Sequence, residues 1–376
     1  MQFRTFGKTG EQVSLLGFGA MRLPLGTDGK VDMDKSVQLL RHGIDNGVNY
    51  IDTAYVYHDG LSEVAIGKAL KDGYREKVLL ADKLPGWMLT DEASHQKIFD
   101  EQFKNLDVDV IDMYLLHNMT TPLWRLAKKL NTLDFLEKKK AEGRIRHIGF
   151  SFHDNVSLFK EIIDSYDWDF CMIQLNYMDT KWQAGVEGLK YAASKGVAVV
   201  VMEPLKGGLL TNTIPSNVES LWRSAETKRS PAEWGLRWVA NFPEVMTITS
   251  GMSTMEQLVE NLKIMGSALP DSLTEKEHKL IEEVSEAYNE LIKYPCTACG
   301  YCMPCPKKIN IVQIMNLYNE WFLFSGSKNT LTTYDVRTPA GRTASDCTNC
   351  KECEERCPQK LNISEMMANA TKIFDK

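Results

Sequence analysis

The chain has 376 residues, 43% hydrophobic and 25% charged, the proportions of an ordinary folded globular protein. A formal net charge of −6 gives no electrostatic reason for a nucleic-acid or anionic-membrane partner, and no apolar run approaches the roughly 20 residues that cross a bilayer. Met1 to Thr9 carries no basic segment followed by an apolar stretch, so a cytoplasmic protein is expected.

In chain order, Phe3 to Val13 reads as a short hairpin turned at Gly7 and Gly10. A regular alternation follows. Strands are expected at Ser14–Phe18, Asn49–Thr53, Val78–Lys83, Met113–His117, Arg146–Phe152, Met172–Leu175, Val197–Met202 and Val245–Thr249. Between them, apolar residues recur at helical spacing, as in Val37, Leu40 and Ile44, in Ile98, Phe99 and Phe103, and in Leu158, Ile162 and Ile163. Further helices are expected through Val64, Ile66 and Leu70, over Leu133–Glu142, through Leu189 and Ala192, and over Pro231–Asn241 and Met255–Met265. Eight strand-helix units in sequence predict an α/β fold, a (β/α)8 TIM barrel, over residues 1–265; an open doubly wound sheet is the alternative that the count argues against.

Asp52, Lys83 and His117 end three consecutive predicted strands, at the side of the barrel where such enzymes keep their chemistry. Alone, each has an ordinary reading: a helix cap, a solvated loop cation, a satisfied core histidine. Together with Tyr55 and Tyr57 they read as a proton-delivery site. Both tyrosines point to the same side of an extended segment, so spacing does not choose between them. Pocket walls are expected from the loops Trp87 to Thr90 and Asn118 to Trp124, and Lys206-Gly207-Gly208 opens a polar loop that could close over a pyrophosphate.

Eight of the nine cysteines fall after Tyr294, and only Cys171 lies earlier, which marks a second domain at 295–376. A charged helix, Leu273 to Leu291, occupies the linker expected at 266–294. The first cysteine run is Cys296-x-x-Cys299-x-x-Cys302-x-x-Cys305-Pro306, and the second is Cys347-x-x-Cys350-x-x-Cys353-x-x-x-Cys357-Pro358. The second matches the bacterial iron–sulfur signature; the first is one residue short before its last cysteine. Zinc is the alternative, since paired C-x-x-C units also build tetrahedral thiolate sites. Two four-cysteine runs, each ending in Cys-Pro, favour two [4Fe-4S] clusters. Cys305-Pro306-Lys307-Lys308-Ile309-Asn310-Ile311 is echoed by Cys357-Pro358-Gln359-Lys360-Leu361-Asn362-Ile363, each continuing into a helical stretch. Between the runs, Trp321, Phe322 and Phe324 form an aromatic patch expected to be core between the domains.

Asp52-Thr53-Ala54-Tyr55-Val56-Tyr57, Lys83 and Tyr114-Leu115-Leu116-His117 resemble the catalytic segments of the aldo-keto reductases. The opening Phe6-Gly7-Lys8-Thr9-Gly10 and Leu16-Gly17-Phe18-Gly19 are similar to that family's start, and the likeness extends to about Asn261. It implies a catalytic tetrad of Asp52, Tyr57, Lys83 and His117, the tyrosine being the one five positions after the aspartate. In that reading Tyr57 delivers a proton, Lys83 lowers its pKa from about 10, Asp52 keeps Lys83 charged and aimed, and His117 bonds the same substrate oxygen. The resemblance also implies cofactor binding by Ala20, Met21, Ser151, Gln174, Met202, Pro204, Leu205, Gly207, Ser250, Gly251, Met252, Gln257, Glu260 and Asn261. Phe152 and Met202 stand where relatives carry an asparagine and a tyrosine. Gly251 and Gln257 stand where relatives that hold a 2′-phosphate are often basic, so NADH is expected over NADPH.

The cysteine-rich part is similar to a mainly α-helical, ferredoxin-like dicluster domain in which each run's last cysteine serves the other cluster. That implies Cys296, Cys299, Cys302 and Cys357 for one cluster, and Cys347, Cys350, Cys353 and Cys305 for the other. The whole is expected to be an oxidoreductase that moves hydride between a nicotinamide and a small carbonyl or alcohol, its clusters exchanging electrons with a redox protein partner. Hydride carries two electrons and each cluster passes one; a flavin could split the pair, but no flavin motif is evident. The rival readings are an electron-transfer or redox-sensing module on a barrel without carbonyl reductase activity, and an enzyme whose clusters are structural.

Overall fold

A computed structural model of the chain describes residues 1–212, 214–296, 300–357 and 359–375, so the expected ligand Cys299 and the motif residue Pro358 lie outside the described residues. Two compact units are present, Met1–Gly207 with Ala232–Thr274, and Gly208–Pro231 with Glu275–Lys376.

In the first unit, β1 (Phe3–Thr5) and β2 (Gln12–Ser14) form the expected antiparallel hairpin. Eight parallel strands follow: β3 (Leu16–Gly19), β4 (Tyr50–Asp52), β5 (Leu79–Pro85), β6 (Ile111–Met119), β7 (Ile145–Phe152), β8 (Phe170–Gln174), β9 (Ala198–Met202) and β10 (Val245–Ser250). Each pairs with the next and β10 pairs with β3, so the predicted (β/α)8 barrel closes. β9 carries three consecutive valines, Val199 to Val201, all buried, as suits a strand covered on both faces.

Tyr50, Leu79, Ala81, Met113, Leu115, Phe170, Met172, Ala198 and Val200 form one buried cluster with Phe6 and Val13 from the hairpin region. Phe6 lies 6.2 Å from the ring of Tyr50 and 5.6 Å from that of Phe170, near the starts of their strands. Side chains alternate across a strand, so the same inward series continues upward to Asp52, Lys83, His117, Gln174 and Met202. Parity alone therefore carries these five residues to the carboxyl rim of the barrel. Room for the bulky members comes from small ones: a Cβ on Gly149 would fall 2.7 Å from the ring of Phe170.

Two expected loops contain helices. The polar stretch after Lys206 forms helices Leu209–Asn212 and Ser216–Ser224, which bury Leu209, Leu210, Val218 and Trp222. Its apolar spacing, Val218 to Trp222, spans one turn and is flanked by polar residues, too short a period to register. The segment after Asn118 forms helix Thr121–Lys129, which opens on a proline and buries Trp124 and Ala127.

The second unit is helical, with helices Glu275–Asn289, Ile311–Leu323, Lys328–Arg337 and Ile363–Phe374. Its core gathers Ile309, Ile311, Ile314, Met315, Ile363, Met366, Met367 and Phe374 around the buried Cys302 and Cys357. The internal repeat is structural as well as sequential. Lys308 and Lys360 both adopt positive φ, and their N–H groups donate to the carbonyls of Cys305 and Cys357 at 2.8 and 3.1 Å. The aromatic patch divides: Trp321 meets Phe374 edge-on and Phe324 packs on Tyr288, whereas Phe322 is exposed beneath Lys293. Phe322 thus departs from the expected core role, its place on the helix facing outward.

Candidate active site and metal centres

Lys83 is the pivot of the rim. Its Nζ donates to Asp52 Oδ2 at 2.7 Å and to the Thr53 carbonyl at 2.6 Å, and it lies 4.9 Å from the centre of the Tyr57 ring. Asp52 and Lys83 are both buried. Burial works against the ammonium, but Asp52, Tyr57 and Asp82 outweigh it and raise the Lys83 pKa, so the side chain stays charged. The rings of Tyr57 and His117 meet edge to face at 6.0 Å, and Trp87 covers His117 at 5.0 Å. Burial, then the charge of Lys83 and then His153, depress the His117 pKa well below the ordinary value. His117 is therefore neutral near pH 7, and its Nδ1 is buried without a partner among the described residues.

Tyr57 departs from one expectation. Burial raises its phenol pKa, and the opposing pull of Lys83 does not overcome that, with Asp52 and Glu203 adding to the rise. The phenol is held protonated, as a donor requires. Tyr55 and Tyr57 do not share a side, because the segment is not extended: Val56 is helical and a turn begins at Tyr57, with His58, Asp59 and Gly60 at positive φ. Tyr55 turns away to donate to Glu101. Only Tyr57 stands beside Lys83 and His117.

The expected nucleotide contacts all come from the same rim. Ala20 is buried and Met21 exposed in the turn that follows β3; Ser151 is buried on β7 and accepts from the Asn118 N–H at 2.7 Å, leaving its own hydrogen to donate. Gln174 donates to Asp179 Oδ2 at 2.7 Å. Met202 ends β9, followed by Pro204 and Leu205, and Gly207 has positive φ. Ser250 ends β10; Met252 is buried, and Asn261 donates to Ser250 at 3.1 Å. Gly251, Gln257 and Glu260 are exposed. Lys206, which opens the loop that could close over a pyrophosphate, donates to Asp179 at 2.8 and 3.0 Å.

Arg22 was not legible as part of this surface. A Cβ on Gly251 would fall 3.1 Å from Arg22 Cβ and 3.3 Å from its Cδ, so the arginine stem occupies the space that a side chain at 251 would fill. Ser253 Oγ donates to the Arg22 carbonyl at 2.7 Å and fixes the turn, and the residue is exposed. Its place directly after Ala20 and Met21 was the available signal.

Two cavities lie among the cysteines. One is lined by Cys305, Cys347, Cys350 and Cys353, and Cys302 also borders it. The other is lined by Cys296, Cys302 and Cys357. In each, a cysteine from one run stands with those of the other. Soft thiols gathered around a cavity are the donors that an iron–sulfur cluster takes.

The chain matches the sequence model described as "Aldo/keto reductase family" over residues 15–286 and that of a "4Fe-4S dicluster domain" over 295–362. It is similar to the NADH-specific methylglyoxal reductase of Escherichia coli, 26% identical over 325 residues, covering 75% of this chain and 97% of that protein. It is also similar to the L-galactose dehydrogenase of Arabidopsis thaliana, 28% identical over 287 residues, covering 70% and 87%. A solved aldo-keto reductase of Bacillus halodurans in its holo form superposes with a TM-score of 0.63 at 28% identity, covering 76% of this chain and 96% of that one.

Proposed function

The chain belongs to the aldo/keto reductase family and carries a 4Fe-4S dicluster domain, and on that premise we propose that it reduces a small carbonyl compound, or oxidises the matching alcohol, at the rim built by Asp52, Tyr57, Lys83 and His117. As a member of that family it is an NAD(P)-dependent oxidoreductase. The observation that carries the reading is the continuous chain of contacts from the buried Asp52 and Lys83 to the half-buried Tyr57 and His117. A bound reduced nicotinamide would supply the hydride. Tyr57 Oη gives its proton to the carbonyl oxygen as charge develops there, and the Lys83 ammonium stabilises the phenolate left behind. Asp52 keeps Lys83 charged and aimed. Neutral His117 donates a ring N–H to the same oxygen.

The nicotinamide face is supported by Ser151, whose hydroxyl hydrogen is available to an amide, and by the exposed stretch from Gly251 to Glu260 for the adenosine end. NADH preference rests on the absence of a cation at Gly251 and Gln257, and the E. coli relative is NADH-specific. Arg22, lying on Gly251, supplies a guanidinium from another loop, so NADPH is accepted as well. Arg22→Ala should weaken NADPH binding about tenfold, a loss of one charge-assisted contact, and leave NADH nearly unchanged. Fluorescence titration of each nucleotide checks this; equal losses for both would remove Arg22 from 2′-phosphate recognition.

In the second unit, Cys305, Cys347, Cys350 and Cys353 would hold one [4Fe-4S] cluster and Cys296, Cys302 and Cys357, with Cys299, the other. Bound clusters would supply one-electron transfer, with a redox protein as the outside partner. The function is tested with nicotinamide deuterated at C4 and a panel of small aldehydes that includes methylglyoxal. Deuterium should appear on the carbinol carbon of the product. Product formed without that label would sink direct transfer.

A further inference from the structure

Behind Lys83, outside the barrel wall, lies a pair of carboxyl groups that touch none of the reacting atoms. Asp82 alternates with Lys83 along β5 and so points outward, where it meets Glu63 of helix Leu61–Ala69. Both are fully buried and hydrogen-bonded to each other. Two acceptor-only carboxylates cannot bond, so the pair holds a proton. Glu63 Oε1 and Asp82 Oδ2, buried without another assigned hydrogen bond, are the oxygens left to share it, with Gln102 also beside Glu63. The remaining oxygens are committed: Asp82 Oδ1 accepts from the Lys83 N–H at 2.8 Å, and Glu63 Oε2 accepts from Asn105 at 2.7 Å. On the other side of the same residue, Gln102 donates to the Lys83 carbonyl at 3.0 Å and accepts from Tyr114.

The register explains why side chains are needed there. Pairing between β4 and β5 ends at Asp52 and Ala81, two residues before Lys83. The Lys83 N–H and C=O are taken instead by Asp82 and Gln102, and a buried main-chain group left without such a partner costs as much as a lost hydrogen bond. Resting on the reading of Lys83 given above, we infer that the Glu63–Asp82 acid pair is a positioning element for carbonyl reduction, holding Lys83 through its main chain only while the pair keeps its shared proton. The titratable and charged groups that face it are Lys83, Glu101, Tyr55 and Tyr114. Loss of the proton as the pH rises puts two buried like charges side by side and loosens the hold.

The test compares the full-length, cluster-loaded protein with its Asp82→Asn and Asp82→Ala variants, using the aldehyde from the panel that it reduces fastest. Asparagine keeps an acceptor for the Lys83 N–H and offers Glu63 an amide donor, so kcat should stay within about twofold and the alkaline fall of the pH profile should move to higher pH or vanish. Alanine should lower kcat about 10- to 100-fold, since small misplacement of a reacting group is costly, with nucleotide Kd and the melting profile of the barrel preserved. Glu63→Gln serves where alanine fails to fold, and should likewise shift the alkaline limb. Wild-type kcat and an unshifted profile in a folded Asp82→Ala or Glu63→Gln protein would overturn the inference. If Tyr57→Phe were equally silent, the reading of the site itself would fall, which separates the two failures.

Discussion

Tyr57→Phe is expected to lower kcat for carbonyl reduction by about 10²- to 10⁴-fold, the usual contribution of a positioned general acid, while leaving the Kd for nucleotide nearly unchanged. Only the hydroxyl is removed; the ring that meets His117 edge-on, and that lies beside the Lys83 ammonium, remains. A fall in kcat without a matching change in nucleotide affinity identifies an interaction made in the transition state. Tyr55→Phe is the control, because that hydroxyl donates to Glu101 and faces away; it should have little effect. Should the two variants lose activity equally, the proton would have to come from elsewhere. His117 would be the next candidate, but its depressed pKa leaves it neutral and a poor source of a proton at pH 7.

The barrel was legible because its signal is a parity. Each strand alternates, and the positions that bury Tyr50, Leu79, Met113 and Phe170 are in phase with Asp52, Lys83, His117 and Gln174. Reading the strands thus already placed Asp52, Lys83 and His117 on one rim, while Gln174 came from the family resemblance. Tyr57 escaped the same logic, since it lies past the strand in a turn with left-handed residues, where alternation says nothing. Its raised pKa was equally hidden: sequence shows the charge of Lys83 but not the burial that outweighs it. Arg22 on Gly251 and Glu63 on Asp82 are contacts between distant parts of the chain that follow no local period. The helices Ser216–Ser224 and Thr121–Lys129 were missed for a different reason, each presenting a single apolar turn among polar residues.

With two [4Fe-4S] clusters bound as proposed, replacing Cys305 and Cys353 together should remove about four iron atoms of about eight per chain and leave one cluster intact, as read by iron analysis and by the spin signal of the reduced protein. The cavity that holds Cys305 also holds Cys347, Cys350 and Cys353, so both substitutions fall on one site. Were each run to build its own cluster, the same double variant would damage both and strip nearly all the iron. Cys302 with Cys353 is the complementary pair. Cys302 lines the cavity it shares with Cys296 and Cys357, so this combination should abolish both clusters. The contrast depends on two chain reversals that the repeat makes alike: Lys308 after Cys305 and Lys360 after Cys357 turn through the same left-handed conformation, and each delivers its chain to a helix, Ile311–Leu323 or Ile363–Phe374. Those helices pack on one another in a shared core with Cys302 and Cys357 buried in it. Each run's last cysteine is thereby carried across to the other run's cavity, and loss of the cluster built on Cys296, Cys302 and Cys357 should melt the helical unit more than loss of its neighbour, which includes the exposed Cys350.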